Sequence, residues 1–195
     1  METLPALLAF ALATSVTPGP NVFMVATSAA NHGVRATVPH MADITIGFPV
    51  MIVLVGFGLA GPFAASPHLH AVLKWVGAAW IVWLAWKIAR AGAPGEGARK
   101  PPLGFFGAAA FQWVNPKAWL LALAAIPAFT RPGGDLLLET LAIAGVFLLV
   151  SPPSVGFWAA VGAGTGRILR SPGRLRAFNV TMAVLLVFSI VPALV

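Results

Sequence analysis

Six apolar segments constrain this chain more than any other feature: approximately Leu4 to Ala29, Val38 to Phe63, Ala71 to Ala89, Leu103 to Phe129, Leu136 to Ala163 and Ala177 to Val195. Each comes close to, or exceeds, the roughly 20 apolar residues that a helix needs to cross hydrocarbon. Charged residues make up 9% of the chain, against roughly 25% in an average soluble domain, so there is too little polar surface to cover these segments in water. The chain reads as an all-α integral membrane protein of six transmembrane helices. Its 195 residues leave room for short loops and no separate soluble domain. Turn chemistry marks the joints, at Asn31-His32-Gly33, Ser66-Pro67, Gly92 to Pro102, Arg131-Pro132-Gly133-Gly134 and Ser171-Pro172-Gly173.

The net charge of +7 follows membrane topology rather than a nucleic-acid surface. Lysine and arginine near helix ends stay on the cytoplasmic side. Arg35, Lys87, Arg90, Arg99, Lys100, Arg167, Arg170, Arg174 and Arg176 fall at the first, third and fifth loops, and only Lys74 and Arg131 at the other side. Both termini are then expected outside, with Trp83 and Trp86 in an interfacial aromatic belt. Glu2 stands where a secretory signal would be basic, so the first segment is expected to be a retained helix. Three helices in residues 1–91 and three in residues 103–195, joined by a cytoplasmic linker over 92–102, make two inverted repeats. A shift of 96 positions carries Pro20 onto Pro116 and Asp43 onto Glu139.

Two of the helices are broken at depth. Thr17-Pro18-Gly19-Pro20-Asn21 interrupts the first and Asn115-Pro116-Lys117 the fourth. Proline lacks an N–H and pushes the preceding residue out of the α region, which leaves carbonyls and amides without helical partners. In a bilayer such backbone survives only when buried in protein or lining a cavity. At 1.5 Å per residue both breaks fall roughly 20 Å into their helices, near or just past the midplane. Matched interruptions in two halves point to a transporter's binding site. Thr17 to Asn21 and Asn115 to Lys117 are therefore the candidate substrate-binding residues. The plainer reading is that Thr17 and the two asparagines only satisfy the kinks.

Four ionisable residues inside apolar segments are functional candidates because each is costly there. Asp43, near the cytoplasmic end of helix two, is a candidate proton carrier, or an acid complementing a helix dipole. Glu139 occupies the mirrored place near the outer mouth. His40 precedes Asp43 by one helical turn, which allows a proton relay or a packing role. Lys117 could bind a substrate carboxylate, pair with Asp43 or Glu139, or cap freed carbonyls. His68-x-His70, expected in an outer loop, makes a poor metal site without a carboxylate. There is no cysteine, and no nucleotide-binding, zinc-hydrolase or nucleophile-elbow motif, so neither enzyme nor cofactor is expected. Gly56, Gly58, Gly61, Gly162, Gly164 and Gly166 suit close helix packing, within one bundle or between two copies.

Several of these segments resemble the LysE/RhtB-type amino-acid exporters of bacterial inner membranes. The resembling residues are Thr17 to Asn21, Asn31-His32-Gly33, Pro39-His40-Met41, Lys74-Trp75-Val76-Gly77, Phe106-Gly107 and Asn115-Pro116-Lys117-Ala118. The resemblance implies an inner-membrane protein that exports an amino acid or close derivative against protons, with the two broken helices as the core of its site. The role of Asp43 rests on its own position, not on the resemblance. A non-transporting membrane scaffold and a metal-ion exporter are the other readings. The latter would want more intramembrane carboxylates than Asp43 and Glu139, and the same scarcity argues against a strongly cationic substrate.

Overall fold

The computed structural model describes residues 3–59, 67–90, 103–131, 133–169 and 171–191. The linker expected over 92–102 lies outside them. All regular structure among the described residues is helical: α1 (Thr3–Val16), α2 (Pro20–His32), α3 (Val34–Leu54) with a π-helical turn (Val55–Leu59) after it, α4 (Pro67–Ala89), α5 (Phe105–Val114), α6 (Pro116–Phe129), α7 (Leu136–Ile168) and α8 (Pro172–Phe188).

The first and fourth apolar segments are each divided where their prolines stand. Pro18 and Pro20 cannot donate to the carbonyls four residues before them. Accordingly α1 stops at Val16, Gly19 is fully extended at φ −174° and ψ −179°, and α2 restarts on Pro20. The two axes meet at 50°. In the fourth segment α5 ends at Val114, and Asn115 (φ −80°, ψ 108°) leads into α6, which also starts on a proline. Proline's fixed φ suits that first helical position, where its missing N–H costs nothing. Between α2 and α3 there is no loop: Gly33 alone turns the chain, at φ +85°, a conformation that L side chains rarely adopt.

Three of the boundaries that differ from those expected bear on residues singled out above. Helix α3 begins at Val34 rather than Val38, because a single glycine makes the joint, and Asp43 is thereby its tenth residue. That is too far from the N-terminus for the dipole to account for it, since the dipole's effect fades within the first turn. His68 and His70 lie in the opening turns of α4, not in a loop, as Pro67 starts that helix. Helix α7 runs on to Ile168, so Gly162, Gly164 and Gly166 belong to its last turns.

Among the described residues, α3 with the turn after it (Val34–Gly58, 25 residues) and α7 (33 residues) are each long and apolar enough to cross a membrane. Helices α1 and α2 make a third when counted across their bend, and α5 and α6 are shorter apolar helices. Helix α7 is central and packs on α1, α2 and α3, while α4 packs on α8. The α7–α2 contact is backbone on backbone: a β-carbon at Gly162 or Gly166 would overlap the carbonyl of Ala26 or Ala30. Small residues four apart on both helices permit that approach.

One apolar core joins α1, α3, α6 and α7 around Phe48, Trp119 and Phe147. A second joins α2, α4, α5 and α8 around Phe23, Ile81, Phe111 and Leu186. The halves of each broken helix thus belong to different cores, and the breaks lie where the cores meet. Helix α2 is also tied to α8 by a reciprocal amide pair: Asn31 Nδ2 donates to Asn179 Oδ1 at 2.8 Å, and Asn179 Nδ2 to Asn31 Oδ1 at 3.1 Å. Such interhelical bonds contribute about 1 kcal/mol in a membrane protein.

Candidate functional site

Three consecutive carbonyls at the first break have lost helical partners, and side chains from elsewhere in the chain take their place. Ser154 Oγ of α7 donates to the Ser15 carbonyl at 2.7 Å, and Trp158 Nε1 of α7 donates to Val16 at 3.3 Å. Lys117 Nζ of α6 donates to the Thr17 carbonyl at 2.7 Å. Gly19 makes the last contact possible, since a β-carbon there would stand 2.8 Å from Lys117 Cδ.

The second break is satisfied more locally. Asn115 caps α6 by accepting from the Lys117 amide at 3.1 Å, and Trp119 Nε1 donates to the Trp113 carbonyl at 2.8 Å. Asn21 does not meet Asn115 but donates from Nδ2 to Gln112 Oε1 at 2.9 Å. Its own Oδ1 is buried without a partner among the described residues.

Both breaks open on one cavity of about 60 Å³, room for a few water molecules. Its polar lining includes Gly19, Asn21, Gln112, Asn115, Lys117 and Ser154. The first turns of α2 and α6 both border it, and each presents a positive dipole end, although the leading amides of α6 are already taken, Lys117 N–H by Asn115 Oδ1 and Ala118 N–H by the Asn115 carbonyl. Lys117 adds a full positive charge, and no carboxylate is among the lining residues. The arrangement favours an anionic group at the lysine and leaves acceptors, Asn21 Oδ1 and the serine oxygens, for a cationic or hydroxylic one.

Of the other residues singled out in the sequence, Thr17 contributes its carbonyl, while Pro18, Pro20 and Pro116 shape the backbone without lining the cavity. His40 and Asp43 are each 1% exposed on α3, outside the lining. His40 Nε2 and Asp43 Oδ1 both lack a partner among the described residues, so these two atoms are not bonded to each other. The Asp43 carboxylate leans over Gly47, where a β-carbon would lie 2.6 Å from Oδ1. Its helix neighbour Ile44 does line the cavity.

Glu139 is in the first turn of α7, after the Asp135 cap, and holds Arg131 through Nε at 2.7 Å and the backbone amide at 2.8 Å. It fastens the α6–α7 turn and is not among the residues that line the cavity. Ser151, Ser154, Trp158 and Gln112 were not foreseen as site residues. Ser151-Pro152-Pro153-Ser154 is a third polar, proline-bearing interruption of an apolar segment, the same signal as the two breaks. Unlike those two, it does not divide its helix: α7 continues through it unbroken.

Residues 12–194 match the family model described as LysE type translocator. The chain belongs to that family. This LysE-type translocator is 35% identical over 188 residues to a cysteine/O-acetylserine efflux protein of Salmonella typhimurium, the match covering 95% of this chain and 94% of the relative. A protein of Escherichia coli with the same name is 34% identical over the same shares. No solved structure matches the chain. Family, apolar helices and helical architecture together make the LysE-type translocator a membrane transport protein.

Proposed function

We propose that this translocator exports a small, uncharged-side-chain amino acid or close derivative, of the cysteine and O-acetylserine class named for its relatives. The observation that carries the reading is one cavity shared by two helix breaks, bordered by two helix N-termini and Lys117 and by no carboxylate. A zwitterion's carboxylate fits the lysine and the helix ends. Its ammonium fits the orphaned Asn21 Oδ1 and the oxygen of Ser154 or Ser151. A cationic side chain would find no counter-charge there, and an anionic one would have to share Lys117.

In this reading α1 with α2 and α5 with α6 each count as one broken span, which with α3, α4, α7 and α8 gives six. They form two inverted repeats in a bacterial inner membrane, both termini outside. Transport proceeds by alternating access around the fixed cavity. Asp43, buried beside cavity-lining residues with an unpartnered oxygen, carries the proton exchanged for substrate, and His40 is its nearest relay on the helix. Glu139 has no part in coupling.

The test is efflux from cells loaded with dipeptides, compared with cells lacking the protein. Faster release of cysteine or O-acetylserine supports the reading; equal release of every amino acid tried overturns it. Asp43→Asn is expected to keep downhill export within a few-fold but to abolish its dependence on the pH gradient. In an antiporter that takes up protons, acidifying the outside accelerates efflux by the unaltered protein, and a side chain that cannot release a proton should not respond. Reconstituted vesicles with an imposed gradient provide the measurement, and an Asp43→Asn protein that still responds would remove Asp43 from the coupling.

A further inference from the structure

The cavity has a second end that the recognition of a zwitterion does not use. One helical turn from Ile44 on α3, from Lys117 on α6 and from Ser151 on α7 stand Phe48, Leu121 and Phe147, and all three line the cavity. They belong to, or pack on, the same apolar core. The rings of Phe48 and Phe147 meet edge to face at 89° with centroids 5.0 Å apart. Behind them Phe10 of α1 lies 6.3 Å from Phe147 and 5.5 Å from Phe129 of α6. Four helices therefore close this end with aromatic rings, and Phe48 and Phe147 form the layer that a bound molecule would touch.

We infer that Phe48, seated against Phe147, is the specificity-determining residue that limits how long a substrate side chain can be. The inference rests on the export reading above. With the carboxylate at Lys117 and the ammonium at Asn21 or Ser154, the substituent on the α-carbon is left the apolar end, where nothing is charged. Cysteine, with only a thiol beyond its β-carbon, is the side chain most easily held there, so within the class proposed above it is favoured over O-acetylserine. The longer side chains of O-acetylserine, methionine and leucine must displace a ring that is 6% exposed and backed by a second aromatic layer. Packing at interior density resists that displacement.

The experiment compares efflux of cysteine, O-acetylserine, methionine and leucine from cells bearing the unaltered protein, Phe48→Ala, Phe48→Leu or Phe129→Leu, at matched amounts in the membrane. A pocket gaining room for one or two methylenes changes discrimination by about tenfold or more. Phe48→Ala is expected to raise the methionine-to-cysteine efflux ratio by about that factor, Phe48→Leu to raise it less, and Phe129→Leu, in the layer behind, to leave it unchanged. Should Phe48→Ala be lost from the membrane, the ratio for Phe48→Leu decides. An unaltered ratio in the Phe48 variants that reach the membrane overturns the inference while leaving the export reading in place. Failure of the unaltered protein to export any of the four compounds overturns the export reading, and this inference falls with it.

Discussion

Lys117→Met is expected to lower amino-acid export by about 10- to 100-fold while folded protein remains in the membrane. Methionine keeps an unbranched stem of similar length and deletes only the charge. The folding cost is one hydrogen bond, from the charged Nζ to the Thr17 carbonyl, about 1.5–3 kcal/mol. The cost to binding is separate. Lys117 is the one charged residue lining the cavity among the described residues. A charge-assisted bond to carboxylate contributes about 1.5–3 kcal/mol, and the upper figure corresponds to roughly 100-fold in affinity.

Lys117→Arg should not restore export, because a planar guanidinium cannot replace an ammonium threaded past Gly19 within 3.0 Å of where a β-carbon would be. Efflux rates at matched expression, with thermal unfolding of the purified variants, separate the two effects. Near-normal export by Lys117→Met would mean that the lysine serves only to cap the first break.

Gly162→Ala is expected to remove most folded protein from the membrane, whereas Gly164→Ala, two residues on, should be harmless. Elsewhere in an exposed helix glycine-to-alanine stabilises by about 1 kcal/mol, and Gly164 has open space where its β-carbon would go. At Gly162 the new carbon would overlap the carbonyl, carbon and α-carbon of Ala26. Those are main-chain atoms of α2, so relief requires moving the whole helix. Overpacking typically costs about 1–3 kcal/mol, occasionally more, and this contact belongs at the upper end. The same shift would pull α2 away from Asn179 and the break away from α7. Fluorescence-detected size exclusion of the three proteins after heating gives the comparison; equal survival of Gly162→Ala and the unaltered chain would show that the α2–α7 contact is looser than described.

The helix breaks were legible because proline's missing N–H is a covalent property, independent of surroundings. At Pro18, Pro20 and Pro116 the helix does stop, whereas α3, α6 and α7 run on through Pro39, Pro49, Pro127, Pro152 and Pro153, so proline marks where a helix can break and the packing decides which breaks form. Lys117 and Asn21 stood out for a similar reason, as polar groups in hydrocarbon that must find partners. Local pattern did not give those partners. Lys117 reaches Thr17 one hundred positions away, and Asn21 pairs with Gln112 rather than Asn115.

What the sequence determined by itself, then, is the all-helical membrane character, the places where a helix can break and the residues that cannot be indifferent to burial, since each follows from one side chain's chemistry or a short run of them. Only the tertiary structure decided that Ser154, Trp158 and Lys117 hold three successive freed carbonyls, that Glu139 belongs to Arg131 at a turn, and that Phe48 meets Phe147 across the cavity. Those pairings depend on how α7 packs between α1, α2 and α3. That packing is set by which backbones can approach, at Gly162 and Gly166 above all, and such shape complementarity between distant segments has no signature in either segment alone.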